Sequence, residues 1–151
     1  MLSQKAYIDS ILRHYGLEDL KPISTPMDPA SWLTSAQSPS TMEEFAAMKH
    51  VPYHEVVGSL MYATLGTCLD ICYAVQTVSK FNCKPGLAHW EAVKRIFWYL
   101  NGTKNLWLSY GGLVKELQGY VDADGSMGED HKAISGYVFV INGGAVSWSA
   151  K

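Results

Sequence analysis

The apolar positions of the chain follow two different periods. From residue 7 to residue 100 they recur every three or four residues, as on the inner face of a helix. After residue 105 they alternate, as in a strand. Tyr7, Ile8, Ile11, Leu12 and Tyr15 form the first helical stripe, with Ser3 placed to cap it and Gly16 to stop it. Pro22, Pro26, Pro29 and Pro39 then punctuate a Ser/Thr-rich stretch, which predicts a strap without regular structure. Thr41 and Glu44 make a capping box for a short helix through Met48. Three further helices follow. The first opens at Pro52, carries Val56, Leu60, Met61 and Thr64 on one face, and ends at Gly66. The second is capped by Thr67 and buries Ile71, Val75 and Val78. The third runs from about Pro85 to Asn101-Gly102 with Trp90, Val93, Phe97 and Leu100 as its stripe.

The alternating part predicts strands at Leu106 to Tyr110, Leu117 to Asp122, Gly136 to Ile141 and Ala145 to Ser149. The last two are joined by a tight turn at Gly143-Gly144. The order of elements gives an α+β chain, a small helical bundle followed by an incomplete antiparallel β-meander. Three strands with no helix to cover them would leave an apolar face bare.

Composition sharpens this picture. In 151 residues, 48% are hydrophobic and only 17% charged, with five Trp and nine Tyr. That is enough apolar material for a core and too little charge for a disordered tail. It also predicts poor solubility or self-association. The net charge of -2 excludes a strongly basic chain, but the charge is uneven. Residues 1–50 and 111–151 are each net -2, while residues 51–110 are net +2. A mildly basic bundle beside an acidic sheet suits phosphate-backbone contact beside metal binding, and solvated helix faces account for the same numbers.

Cys68, Cys72 and Cys83 are an odd set. A zinc site would need two more ligands with His89 the only nearby candidate, so buried thiols in a reducing compartment are the favoured reading. His89 has no Ser or acid at triad spacing and reads as a packed or capping histidine. No secretory segment, membrane span or glycine-rich phosphate loop is visible, so the expected compartment is intracellular with no membrane partner.

Several phrases, in order, carry a resemblance. They are Ser3-Gln4 with Tyr7-Ile8, Thr25-Pro26-Met27, Pro52-Tyr53, Val57-Gly58-Ser59-Leu60-Met61-Tyr62 and Leu69-Asp70-Ile71. They continue with Ser79-Lys80-Phe81, His89-Trp90, Gly119-Tyr120-Val121-Asp122-Ala123-Asp124, Ser135-Gly136-Tyr137 and Ser147-Trp148-Ser149. Together they resemble the reverse transcriptase of copia-type LTR retrotransposons, over nearly the whole chain. The resemblance implies a palm-exit helix and Pro-rich linker at 1–51, a thumb-like bundle at 52–104 and a connecting strand and turn at 105–116. It implies a truncated ribonuclease H-like domain at 117–151, with its first three strands.

The resemblance also implies roles. Gly58, Ser59 and Tyr62 would lie along primer–template: Gly58 lets a backbone or groove edge approach, Ser59 offers a small donor, and Tyr62 packs against sugars. On the residues alone, the favoured reading is Gly58 as a close helix–helix contact and Tyr62 as core. Lys94 and Arg95 are further candidate nucleic-acid contacts. Asp122 would be the first ribonuclease H carboxylate and Mg²⁺ ligand; on the residues alone, Asp-x-Asp-Gly reads as a turn. Two-metal cleavage needs several converging carboxylates, and Glu129 and Asp130 fall in a loop rather than at the family's ligand positions. The polymerase aspartates of the family lie upstream of this stretch. Mg²⁺ is therefore expected in the intact parent enzyme and none bound to this fragment.

The expected partners are an RNA–DNA or DNA duplex, bound weakly and without sequence preference, and the remainder of the polyprotein. The rival expectation is a catalytically dead remnant that serves as a protein-interaction module. Departures from the family pattern bear on both. The usual Thr-Arg-Pro-Asp-Ile is Thr67-Cys68-Leu69-Asp70-Ile71, the usual Trp after Asp-Ala-Asp is Gly125, and an Arg looks replaced around Lys132-Ala133.

Overall fold

A computed structural model describes residues 1–19, 21–111, 116–124 and 134–150. Five α-helices precede a three-stranded antiparallel sheet, an α+β arrangement. Helix α1 spans Lys5–His14. Ser3 Oγ accepts the Lys5 N–H at 3.1 Å, which satisfies one of the amides a helix start leaves without a partner. At the other end Gly16 takes φ +65°, and the Leu17 N–H returns to the Leu12 carbonyl at 2.8 Å. That left-handed residue is the stop the sequence signals. The short helix α2, Met42–Met48, starts on the expected box: Thr41 Oγ1 accepts the Glu44 N–H, and Glu44 accepts the Thr41 N–H.

Helices α3 (Tyr53–Gly66), α4 (Cys72–Ser79) and α5 (Leu87–Thr103) form the body of the bundle. Their inner faces bury Val56, Val57, Leu60, Ile71, Val75, Val78, Val93, Ile96, Phe97 and Leu100 in one cluster. Ile8, Ile11 and Leu12 of α1 belong to the same cluster, so the first helix is part of the bundle core. Each such side chain contributes about 1.5–3 kcal/mol by leaving water. Tyr53 is buried with them, and its hydroxyl donates to the Val78 carbonyl at 2.8 Å, which ties the start of α3 to the end of α4.

Two details differ from expectation. Met61 lies off the inner face of α3 and is 44% exposed, because Val57 and Ala63 complete that face instead. Thr67 does not cap α4. Its N–H and hydroxyl both donate to Gln4 Oε1, at 2.7 and 3.0 Å, and a 3₁₀ turn at Leu69–Ile71 leads into the helix.

Strands β1 (Gln118–Asp124), β2 (Ile134–Ile141) and β3 (Gly144–Ala150) pair in sequence order. Val121 faces Tyr137, Asp122 faces Gly136, and Val138 faces both Tyr120 and Trp148. The hairpin turn centres on Asn142-Gly143, not Gly143-Gly144. Both turn residues have positive φ, +50° and +79°, the geometry that matches the twist of a two-residue hairpin. A strand over Leu106 to Tyr110 does not form. Only Leu108 bridges, to Leu2, with two hydrogen bonds of 2.9 Å, because no longer partner lies alongside.

Two side chains seat the sheet. Trp148 Nε1 donates to the Thr64 carbonyl at 2.7 Å, satisfying an acceptor in the last turn of α3. Tyr110 donates to the Ala145 carbonyl at 2.5 Å. Val121, Tyr137 and Phe139 stay substantially exposed on the outer face, the bare apolar surface that a three-stranded meander leaves.

Candidate nucleic-acid interface and carboxylate cleft

The outer face of α3 is where the glycine expectation can be examined. Gly58 is exposed, and a Cβ built on it would meet no atom within 4 Å. Close helix–helix packing is therefore not what glycine provides at this position. A mid-helix glycine costs up to about 1 kcal/mol relative to alanine, and nothing inside the chain requires the missing side chain. Tyr62, one turn on, is 60% exposed, so it is not core. It meets Tyr7 of α1 edge-on at 4.9 Å between ring centres.

Ser59 is less available than expected. Its hydroxyl donates to the Glu55 carbonyl at 3.1 Å and meets the Tyr15 hydroxyl at 3.1 Å, while its own carbonyl accepts from Tyr7 at 2.9 Å. Burial raises the Tyr7 pKa, so that phenol stays a donor. The exposed positions of this face, His54, Glu55, Gly58, Met61, Tyr62 and Leu65, include no Lys or Arg.

Lys94 and Arg95 lie on another helix with other partners. Lys94 pairs with Glu91 at 2.5 Å. The Arg95 Nη2 donates to Thr25 Oγ1 of the strap at 2.8 Å, while its Nε and the Trp98 Nε1 are buried without a partner among the described residues. These two groups border a cleft of about 190 Å³ shared with Met27, Asp28 and Ser31. The structure thus places three expected contacts on α3 and two on α5.

Asp122 sits near the end of β1, exposed, in a cleft of about 300 Å³ between the sheet and the start of α4. Leu69, Asp70, Cys72, Tyr73, Tyr120, Val138 and Trp148 are among its walls. Asp70 is the other carboxylate of this cleft, and it accepts from the Tyr99 hydroxyl at 2.5 Å. Burial and that aspartate push the Tyr99 pKa up. No group of three His, Cys, Asp or Glu converges among the described residues, so these residues do not fit a two-metal centre. Glu129, Asp130, Gly125 and Lys132-Ala133 lie outside the described residues.

His89 is fully buried, and both ring nitrogens are spoken for. Nδ1 accepts the Gly86 N–H at 2.8 Å, so Nε2 carries the proton and donates to the Thr34 carbonyl at 3.1 Å. It does what Glu does at the third position of a capping box, and it also pins the strap. Burial lowers its pKa. With both nitrogens engaged it is not a zinc ligand. Cys68 is buried, and burial pushes its thiol up to about 11, with Cys72 raised for the same reason.

Sequence reasoning missed the phenol contacts under Ser59 and the Asp70–Tyr99 pair. They span 52, 44 and 29 residues, and no local pattern signals them.

A helical bundle with an open glycine face, carrying a small sheet whose first strand bears Asp122 and Asp124, defines the class of module. Over nearly its whole length the chain is similar to the retrovirus-related Pol polyproteins of copia-type transposons. It is 45% identical over 151 residues to the Retrovirus-related Pol polyprotein from transposon TNT 1-94 of Nicotiana tabacum, covering 99% of this chain and 11% of that protein. It is 34% identical over 153 residues to the polyprotein from transposon RE1 of Arabidopsis thaliana, with 99% of this chain and 10% of that protein covered. The chain thus spans about a tenth of the length of these polyproteins. A third relative is the Secreted RxLR effector protein 161 of Plasmopara viticola, 43% identical over 108 residues, 69% of this chain and 75% of that protein. No family model and no solved structure matches the chain. Among the described residues, no helix is long and apolar enough to cross a membrane.

Proposed function

We propose that the chain is the stretch of a copia-type polyprotein where the reverse-transcriptase thumb runs into ribonuclease H. By itself it neither polymerises nor cleaves, and it contacts primer–template duplex weakly through the outer face of α3. The division at residues 51, 104 and 116 and the partnership with the rest of the polyprotein belong to the same proposal. The observation that carries it is Gly58, a glycine inside a helix with open space before it and the exposed Tyr62 one turn away. A groove edge could settle on that seat and a sugar could pack on the ring. With no Lys or Arg on this face, its contact is with sugar and groove rather than phosphate.

The test is fluorescence anisotropy with a labelled RNA–DNA hybrid at low salt. Gly58→Leu and Tyr62→Ala should each weaken binding about tenfold, roughly 1.4 kcal/mol. Absence of binding, or binding indifferent to both changes, overturns the interface. Mg²⁺- or Mn²⁺-dependent cleavage of the hybrid that disappears in Asp122→Asn overturns the claim of inactivity.

One observation favours a second reading, a remnant that acts as a protein-interaction module. A secreted effector matches this chain over three quarters of its own length, so most of that protein consists of this stretch. Duplex binding absent at low salt would favour this reading over the first.

A further inference from the structure

Among the described residues, no strand pairs with the outer edge of β1. β1 is hydrogen-bonded to β2 throughout and stands last in the strand order, with residues 118–123 all exposed and Val121 84% exposed. Such an edge offers a row of N–H and C=O groups to any strand that reaches it, and proteins usually blunt it with Lys, Pro or a bulge. β1 holds no Lys and no Pro, and the sheet's one register shift lies between β2 and β3, not at this edge.

The strand is also complementary to itself. About Val121, the small residues Gly119 and Ala123 sit two positions away on one face, and Tyr120 and Asp122 sit one position away on the other. Antiparallel pairing on a two-fold axis through Val121 would set Val121 against its own copy. Gly119 would meet Ala123, and Tyr120 would meet Asp122, of the second chain. No like charges oppose each other in that arrangement, whereas parallel pairing in register would stack Asp122 on Asp122. Phe139 already fills the space over Gly119, where a Cβ would lie 2.6 Å from its ring. Its ring, 5.6 Å from that of Tyr137, would continue across the junction beside Val121 and its copy. A two-fold interface needs such a self-complementary patch.

We propose that two copies of this chain associate through β1, antiparallel about Val121, into one six-stranded sheet. The exposed Val121, Tyr137 and Phe139 of both copies then form one continuous apolar face. The association needs no nucleic acid.

Sedimentation equilibrium of the full chain, without nucleic acid, tests it. The expected result is a concentration-dependent monomer–dimer equilibrium. Val121→Lys places two ammonium groups on the axis and should weaken it roughly tenfold or more. Leu65→Lys, on the exposed outer face of α3, should leave it unchanged. Both positions are at least 80% exposed, so the fold should survive, which far-UV circular dichroism verifies. Hydrogen exchange should also show β1 amides slowing as protein concentration rises. A monomer up to about 1 mM, a Val121→Lys variant that still dimerises as before, or equal loss in Leu65→Lys would overturn the proposal.

Discussion

Replacing His89 by Phe separates the ring's packing from its hydrogen bonds. The ring stacks on Phe81 with centres 3.9 Å apart and planes 9° from parallel, and Phe keeps that aromatic shape. Both bonds are lost: the buried Gly86 N–H at the start of α5 is left without its partner, while the Thr34 carbonyl of the strap still accepts the Gln37 N–H at 3.2 Å. An orphaned buried polar group costs about 1–3 kcal/mol, and since the Thr34 carbonyl keeps its Gln37 partner, the Gly86 N–H sets the loss at about 1–3 kcal/mol.

The pH dependence follows from the lowered pKa of His89, caused first by burial. The unfolded chain takes up a proton near 6.5 while the folded one does not, so stability is complete above that value and falls as pH drops below it. Among the shifted groups only His89 has its ordinary value there: hydrogen bonds lower the carboxyl groups of Glu44 and Asp9, away from that window. Urea unfolding at pH 7.5, 6.0 and 5.0 should show the wild type losing stability stepwise and His89→Phe, already destabilised, staying level. A variant that loses less than about 1 kcal/mol, or that keeps the wild-type slope with pH, would refute the reasoning.

Gly58→Ala should stabilise the chain by about 0.5–1 kcal/mol in urea unfolding, since the added methyl meets only solvent and alanine favours the helix. Trp148→Phe removes the bond to the Thr64 carbonyl; it should cost about 1 kcal/mol and speed hydrogen exchange in β3 more than in α5. Exposed Cys83 should react with a disulfide reagent well before Cys68 at pH 8, because burial raises the Cys68 thiol to about 11; equal rates would contradict that burial.

Wherever the signal is local, the sequence carries it. The Thr41–Glu44 box, the Gly16 stop, the inner stripe of α4 and the β2–β3 hairpin all rest on residues within a turn of one another. The capping role of His89 was legible for the same reason, since Gly86 is three residues away. Thr67 went otherwise because a distant residue decides it: Gln4, 63 residues upstream, takes both its donors. A strand at Leu106 to Tyr110 has the right alternation, but a strand needs a partner, and among the described residues only Leu2 forms a bridge with it. At the candidate site, Gly58 and Tyr62 were read on the correct helix, while the Ser59–Tyr15 and Arg95–Thr25 contacts are tertiary facts with no local trace.

The way α1 is held has a consequence for the order of assembly. Helices α3 to α5 meet through neighbours close in sequence, whereas α1 reaches Ser59 and Thr67 only across 44 to 63 residues. Closing a loop of that size costs on the order of 3 kcal/mol of chain entropy before any contact repays it. The three-helix body should therefore condense first and α1 dock onto it late, drawing the proline strap over α5. The same arithmetic run backwards makes α1 the first helix to leave, so its amides should exchange through a partial opening while the remaining helices stay folded.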